Sequence, residues 1–138
     1  SSDLVLAQEF LYTEFDWRVG ILNKTPLFVC QYFMSKEHWQ IYNHQTGQKS
    51  GIREGDSKTF RVDDAPEIVI KTALKAAGLI GSGFYGVDLK QTAKGVVVIE
   101  INDNPNVDQG IEDAVLKEDL YRRIVEDFVW RLDRKRGK

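Results

Sequence analysis

Cysteine, histidine and long apolar runs are scarce in this chain, and each shortage excludes a class of protein. The single cysteine among 138 residues, Cys30, cannot form an internal disulfide, so we expect a reducing, cytoplasmic location. Two histidines, His38 and His44, do not make up a zinc-binding set with that cysteine. Apolar runs such as Val96-Val97-Val98-Ile99 are far shorter than the roughly 20 residues of a membrane-spanning helix.

An excess of one charge is also missing, because 19 basic and 21 acidic residues leave a net charge of −2. This balance gives no bulk attraction to nucleic acid. We interpret the basic residues 131–138 as the solvated end of a helix, where the helix dipole favours cations. The polar opening Ser1-Ser2-Asp3 lacks a signal-peptide pattern and a starting Met, so we expect the chain to begin inside a longer protein.

The pattern of apolar residues predicts an α+β fold, a mostly antiparallel sheet with flanking helices, as a single domain over residues 1–138. The predicted strands cover residues 4–7, 17–22, 27–34, 38–44, 84–90 and 96–102. Residues 23–26 are predicted to turn a hairpin between the second and third of these. Residues 45–60 are rich in glycine and charge, which predicts a loop.

Two helices are predicted from their start signals and their apolar spacing. The first begins at an Asx cap at Asp63-Asp64, followed by Pro66 in the first turn. The second begins at about Glu118. The predicted buried faces are Ile70, Ala73, Leu74 and Ala77 in the first helix and Leu120, Ile124, Phe128 and Leu132 in the second.

Oxygen-bearing residues in the last two predicted strands form the clearest candidate site. Glu100 and Asn102 are two residues apart on one strand and therefore share a face. If the hairpin turns near Lys94, Asp88 lies opposite or diagonal to Glu100, with Cβ atoms about 5–8 Å apart. Adjacent carboxylates repel each other unless a cation or proton lies between them. Oxygen ligands without His or Cys suit Mg²⁺ better than Zn²⁺.

The expected burial of the strand that carries Glu100 distinguishes the metal site from two alternative interpretations. Because residues 96–99 are so apolar, we expect a central strand covered on both faces, in which Glu100 would need a partner. One alternative is a surface hairpin, with Glu100 in water and Asp88 paired to a lysine such as Lys90. The other is a calcium loop in residues 102–108, which lacks the spacing of an EF-hand.

Three motifs resemble the end of an ATP-grasp domain, and the closest group is the RimK-like carboxylate–amine ligases. The motifs are Gly86-Val87-Asp88-Leu89, residues 98–106 and Gly110-Ile111-Glu112. The resemblance implies the C-terminal portion of an ATP-grasp fold. It also implies a nucleotide-binding ligase that uses ATP and magnesium, with manganese as the alternative ion. Asp88, Glu100 and Asn102 would then be the metal-binding residues.

The resemblance also extends upstream and implies nucleotide contacts there. Gln8, Glu9 and Phe10 correspond to the adenine-binding hinge, and Asp16 of Asp16-Trp17-Arg18 would lie near the nucleotide sugar. Asn43 and His44 occupy the segment that covers the phosphates in the family. The expected catalytic residues are Arg18 and, in the predicted loop, Arg53, which would meet phosphate or a substrate carboxylate on closure.

The function expected from this resemblance is ATP-dependent amide-bond formation of the glutamate-ligase type. A small-molecule or peptide carboxylate would be phosphorylated and then joined to an amino-acid amine. The expected partners include no membrane and no nucleic acid, and self-association is left open. The family's upstream phosphate-binding loop has no counterpart in this sequence, so we expect the chain alone to be inactive. The alternative is a non-catalytic nucleotide- or metal-binding domain that serves partner docking.

Overall fold

The computed structural model describes residues 7–33 and 57–137, whose five strands form one antiparallel sheet. The strands are β1 (Phe15–Leu22), β2 (Thr25–Phe33), β3 (Ser57–Phe60), β4 (Phe84–Thr92) and β5 (Gly95–Asn102). Their order across the sheet is β3-β2-β1-β4-β5. Two helices, α1 (Glu67–Ile80) and α2 (Glu118–Lys135), complete the elements. The predicted α+β fold with a mostly antiparallel sheet is therefore confirmed.

The β1–β2 hairpin turns more tightly than its sequence predicts. Asn23 and Lys24 alone form the turn, with φ of 48° and 65°, and Thr25 and Pro26 already belong to β2. Positive φ at both central residues matches the right-handed twist of the flanking strands. A bulge near Gly20 follows, where the register shifts by one residue.

Helix α1 covers one face of the sheet, which we call the apolar face. Its buried residues Val69, Ala73 and Ala77 pack against Trp17, Val87 and their neighbours. Of the predicted helix face, Ala73 and Ala77 are buried, while Ile70 and Leu74 are partly buried against the same core. Because successive side chains of a strand point to opposite faces, the other residues of β1 and β4 lie on the face away from α1.

The predicted Asx cap of α1 is wrong. Asp63 and Asp64 form a separate 3₁₀ turn, Val62–Asp64, and Pro66 is the residue that precedes the helix. With φ of −58°, Pro66 already has the backbone angle that a helix requires. The local proline constraint therefore places the helix start at Glu67, three residues after Asp64.

Helix α2 begins at Glu118 as predicted but buries only the first half of its predicted stripe. Leu120 is fully buried and Ile124 is partly buried against β2 and the segment after β5. Phe128 and Leu132 are 48% and 50% exposed, so their predicted burial is wrong in the described structure. Helical spacing identifies a face, but burial depends on whether another element lies against it.

Strand β5 is the outermost strand on its side of the described sheet, and the predicted central position is wrong. Val96, Val98 and Ile101 pack against the core under α1, whereas Val97 is 44% exposed and Glu100 is exposed. A β-branched run suits a strand with one covered face as well as one with two. Composition alone does not distinguish these cases.

Two further corrections concern the upstream half. Residues 57–60, predicted as the end of a loop, form β3 and pair with β2 from Val29 to Tyr32. Residues 7–10, predicted to continue a strand, are exposed and lie outside the strands. The rest of that strand, the predicted strand 38–44 and the rest of the loop lie outside the described residues. No helix in the described part of the chain is long and apolar enough to cross a membrane.

Candidate metal and nucleotide site

The face of the sheet opposite α1 carries the charged residues, and we call it the polar face. Residues directly opposite on antiparallel strands share a face, so the register defines rows of side chains. Three rows cross this face: Tyr32–Asp16–Lys90, Cys30–Arg18–Asp88–Glu100 and Phe28–Gly20–Gly86–Asn102. The candidate metal ligands Asp88, Glu100 and Asn102 therefore lie together at the β4–β5 side of this face.

The predicted pairing of Asp88 with Glu100 is confirmed, and a bulge makes it possible. The β4–β5 hairpin turns at Ala93 and Lys94, a turn that by itself would pair Asp88 with Ile99. The register shifts by one residue after Leu89, and this shift brings Glu100 opposite Asp88. Directly opposite residues have Cβ atoms about 4.5–5.5 Å apart, so the two carboxylates are neighbours. Bulges often re-aim side chains in this way beside functional sites.

Arg18 holds the Asp88 carboxylate by two hydrogen bonds. Its Nε donates to Oδ1 at 2.7 Å and its Nη2 to Oδ2 at 2.8 Å, and both side chains are almost buried. The guanidinium also lies over the Tyr32 ring, 5.2 Å from the centroid. Arg18 thus lies between Tyr32 and Asp88, and a bidentate, desolvated ion pair of this kind fixes both partners. The alternative in which Asp88 pairs with a lysine such as Lys90 is therefore wrong on this point.

Lys90 instead pairs with Asp16 in the neighbouring row. Its ammonium donates to Asp16 Oδ1 at 2.6 Å and to the Thr13 hydroxyl at 2.9 Å. Thr13 also donates to Asp16 at 2.7 Å. All three residues are buried, so Asp16 stands in a closed polar cluster beside Arg18. The role of Asp16 at a nucleotide sugar stays a prediction.

Glu100 differs from these paired charges. It is exposed, and among residues 7–33 and 57–137 its side chain forms no hydrogen bond or ion pair. The same part of the chain holds no cluster of three or more His, Cys, Asp or Glu side chains able to bind a metal ion. The oxygens available are thus two carboxylates and the Asn102 amide, a partial set of the kind that binds Mg²⁺ together with substrate phosphates.

A buried carboxylate, Glu112, anchors the segment between β5 and α2. It is fully buried, accepts a hydrogen bond from the Tyr32 hydroxyl, and accepts another from the Asp108 backbone N–H at 2.8 Å. Burial and the neighbouring Glu112 raise the pKa of Tyr32 well above its ordinary value. Sequence reasoning noted Glu112 only as part of a motif. The signal in the sequence that could have indicated a structural role for Glu112 is its position two residues after Gly110, which adopts a positive φ in a turn.

Cys30 lies in the same interior and is an inert packing residue, as its apolar neighbours predict. Its Sγ is 3.4 Å from the Thr59 hydroxyl, which donates to the Ile111 carbonyl at 2.6 Å. Burial raises the pKa of the Cys30 thiol to about 12. A thiol with so high a pKa is a poor nucleophile at neutral pH.

Pro105 fixes where the chain goes after Asn102. It is buried over Gly86, and a Cβ added at Gly86 would meet the Pro105 Cβ at 2.8 Å. Only glycine therefore allows this close approach, which keeps residues 103–106 beside the Asp88 row. The packing of Pro105 against the strand therefore explains why the Gly86-Val87-Asp88 motif begins with glycine.

The structure describes only some of the other residues that the resemblance assigns to the nucleotide or to catalysis. Gln8, Glu9 and Phe10 are exposed in an irregular segment, with Phe10 58% exposed. Asn43, His44 and Arg53 lie outside the described residues, so their assigned roles stay predictions.

The fold of this chain is similar to part of a solved enzyme. The chain matches part of an ATP-grasp ligase, PsnB, solved with its minimal precursor, with a TM-score of 0.50 and 16% sequence identity. The match covers 86% of this chain and 36% of that one. At this identity the likeness concerns the fold, and it is the fold that the ATP-grasp motifs imply. No family model matches the chain.

Part of the chain is also similar in sequence to known proteins. The chain is 45% identical over 56 residues to a probable alpha-L-glutamate ligase of Vibrio cholerae serotype O1, a match covering 41% of this chain. It is 39% identical over 64 residues to that of Maridesulfovibrio salexigens, covering 46% of this chain. The matches cover 18% and 20% of those relatives, so the matched part of this chain spans about a fifth of their length. It is thus related, over part of its length, to ATP-grasp alpha-L-glutamate ligases.

Proposed function

We propose that this chain is the C-terminal fragment of the ATP-grasp domain of an ATP-dependent carboxylate–amine ligase that uses glutamate as the amine. The observation that carries the proposal is the pairing of Asp88 with Glu100 across two strands, with Asn102 on the same face. The partial similarity to alpha-L-glutamate ligases supports the reaction type. The carboxylate partner is a small molecule or a peptide, and the single buried cysteine fits the cytoplasmic location.

The residues present fit a hard divalent cation. Asp88, Glu100 and Asn102 would hold Mg²⁺, or Mn²⁺, which when bound neutralises the nucleotide phosphates. The exposed Glu100 is accessible to an ion that arrives from solvent, and the buried Asp88 is held in a defined orientation by Arg18. Such preorganised charge is the main contribution a protein makes to phosphoryl transfer.

The remaining assignments follow the same proposal. Gln8, Glu9 and Phe10 would contact the adenine, and Asp16, Asn43 and His44 the rest of the nucleotide. Arg53 would act on the phosphates or the substrate carboxylate, and Arg18, which is bonded to Asp88, would take part in catalysis through that carboxylate. The substrate carboxylate would take the γ-phosphoryl group of ATP, which releases ADP and leaves an acyl phosphate, and the amine would then displace phosphate to form the amide. The chain alone is expected not to turn over ATP, because the upstream phosphate ligands of the family have no counterpart in it.

The test is glutamate-dependent ADP release by a protein of the relatives' full length that contains this chain. Glu100→Gln is expected to lower turnover about 100-fold or more, because it removes a charged ligand, while the melting temperature stays unchanged. Glu67→Gln, an exposed carboxylate on α1, is the matched control and should retain activity. Full activity in Glu100→Gln would refute the proposal. Nucleotide binding without turnover in the unsubstituted protein would favour the non-catalytic docking domain.

A further inference from the structure

The polar face carries an uneven set of charges around Asp88. Lys90 and Asp16 neutralise each other at 2.6 Å, and Arg18 and Asp88 do so at 2.7 Å. Among the described residues, Glu100, beside Asp88, is then the carboxylate of this group without a cationic partner. Without Arg18, two carboxylates about 4.5–5.5 Å apart at Cβ would face each other and repel.

Arg18 is held in place from its other side as well. Its guanidinium lies over the Tyr32 ring, whose hydroxyl donates to the fully buried Glu112. The side chain of Arg18 is 8% exposed, so its charge acts in a poorly hydrated environment where electrostatic effects are strong. The guanidinium is therefore a fixed positive charge at the carboxylate of the proposed metal ligand.

We propose that Arg18 is a built-in counter-ion for Asp88, which lets Asp88 and Glu100 lie side by side without a metal and lowers the affinity of the site for a free divalent cation. This inference rests on the proposed function and adds the regulation of its metal site. The physical reason is that an incoming cation meets the positive charge of Arg18 as well as the two carboxylates. Arg18 is thus a positioning residue that acts on the ion through Asp88.

The test is Mn²⁺ binding to the 138-residue chain, followed by the electron paramagnetic resonance signal of free Mn²⁺ at constant ionic strength. Arg18→Gln keeps a hydrogen-bond donor beside Asp88 but removes the charge, and we expect about tenfold tighter binding. Arg18→Lys, the matched control, keeps the charge and should bind Mn²⁺ as the unsubstituted chain does. Glu100→Gln should weaken binding, because it removes a ligand.

The outcomes separate this inference from the proposed function. If Glu100→Gln weakens binding while Arg18→Gln leaves it unchanged or weaker, the counter-ion role is wrong and the metal site stands. If Glu100→Gln has no effect, the metal site itself is wrong and the inference falls with it. If the unsubstituted chain binds no Mn²⁺, binding by Arg18→Gln supports the inference, and its absence refutes both.

If Arg18→Gln is too unstable for the binding assay, the inference can be tested by measuring the melting temperature of the variant with and without Mn²⁺. The melting temperature of this variant should be lowered without metal and should rise more steeply with Mn²⁺ than that of the unsubstituted chain, because the ion replaces the missing positive charge. Arg18→Lys should show the smaller, unsubstituted response. A variant that stays unfolded in saturating Mn²⁺, or gains no more than the unsubstituted chain, would refute the counter-ion role.

Discussion

The hydrogen bond between Tyr32 and Glu112 offers a direct test of what holds the segment after β5 in place. Tyr32→Phe removes only the hydroxyl that donates to Glu112 and keeps the ring beneath Arg18. Glu112 is fully buried, and of its hydrogen bonds within residues 7–33 and 57–137 it would keep the one from the Asp108 N–H at 2.8 Å. A hydrogen bond to a charged group contributes about 1.5–3 kcal/mol, and its loss leaves a buried oxygen unsatisfied. We therefore expect Tyr32→Phe to lower the free energy of unfolding by about 2 kcal/mol.

The assay is equilibrium urea unfolding followed by tryptophan fluorescence, since Trp17 is 3% exposed and reports on the core. A loss of about 2 kcal/mol also lowers the melting temperature of a chain of this length by roughly 5–10 °C. Tyr12→Phe, at a position 72% exposed, is the matched control and should change neither value. In the Glu112→Gln background, Tyr32→Phe should cost less, which measures the coupling directly. An unfolding midpoint unchanged by Tyr32→Phe would refute this reasoning.

Three further predictions concern packing and pH. Gly86→Ala places a Cβ 2.8 Å from that of Pro105, so it should lower the free energy of unfolding by about 1–3 kcal/mol and weaken Mn²⁺ binding. An alanine variant as stable as the unsubstituted chain would contradict the packing role of Gly86. Leu120→Ala should cost about 2–5 kcal/mol in urea unfolding, whereas Phe128→Ala, 48% exposed on the same helix, should stay within about 1 kcal/mol; equal losses would show that the exposed half of α2 is covered. The pKa of Cys30 rises from 9.0 to about 12 on folding, so the buried thiol stabilises the fold fully below pH 9 and loses this contribution as the pH rises towards 12. Cys30→Ala should flatten that alkaline decline, and an unaltered pH profile would exclude the thiol as its cause.

The sequence predicts the elements well where local signals are strong. The start of α2 at Glu118, the strands flanking the tight turns and the pairing of Asp88 with Glu100 all follow from spacing and turn residues. The agreement for this pair is partly fortuitous. The hairpin turns at Ala93 and Lys94 and not at Lys94 alone, and the bulge after Leu89 restores the predicted pairing of Asp88 with Glu100. Bulges depend on packing against neighbouring strands and are seldom visible in a single sequence.

Burial was the least predictable property. The apolar run in β5 suggests a strand covered on both faces, and the apolar stripe on α2 suggests a helix covered along its whole length. In the described structure, however, Val97 of β5 and the second half of the α2 stripe are exposed. Both errors have one cause, since an apolar pattern shows which side chains favour contact but not which element supplies it.

By itself, the sequence indicates the candidate metal chemistry, because side chains that carry only oxygen ligands suit Mg²⁺ whatever the exact register of the strands. Only the tertiary structure decides how the charges are paired. Asp88 has Lys90 two residues away, but side chains on one strand extend in parallel, whereas Arg18 lies directly opposite on β1. The partner is therefore set by the order of strands in the sheet, a long-range property that brings together residues 70 positions apart.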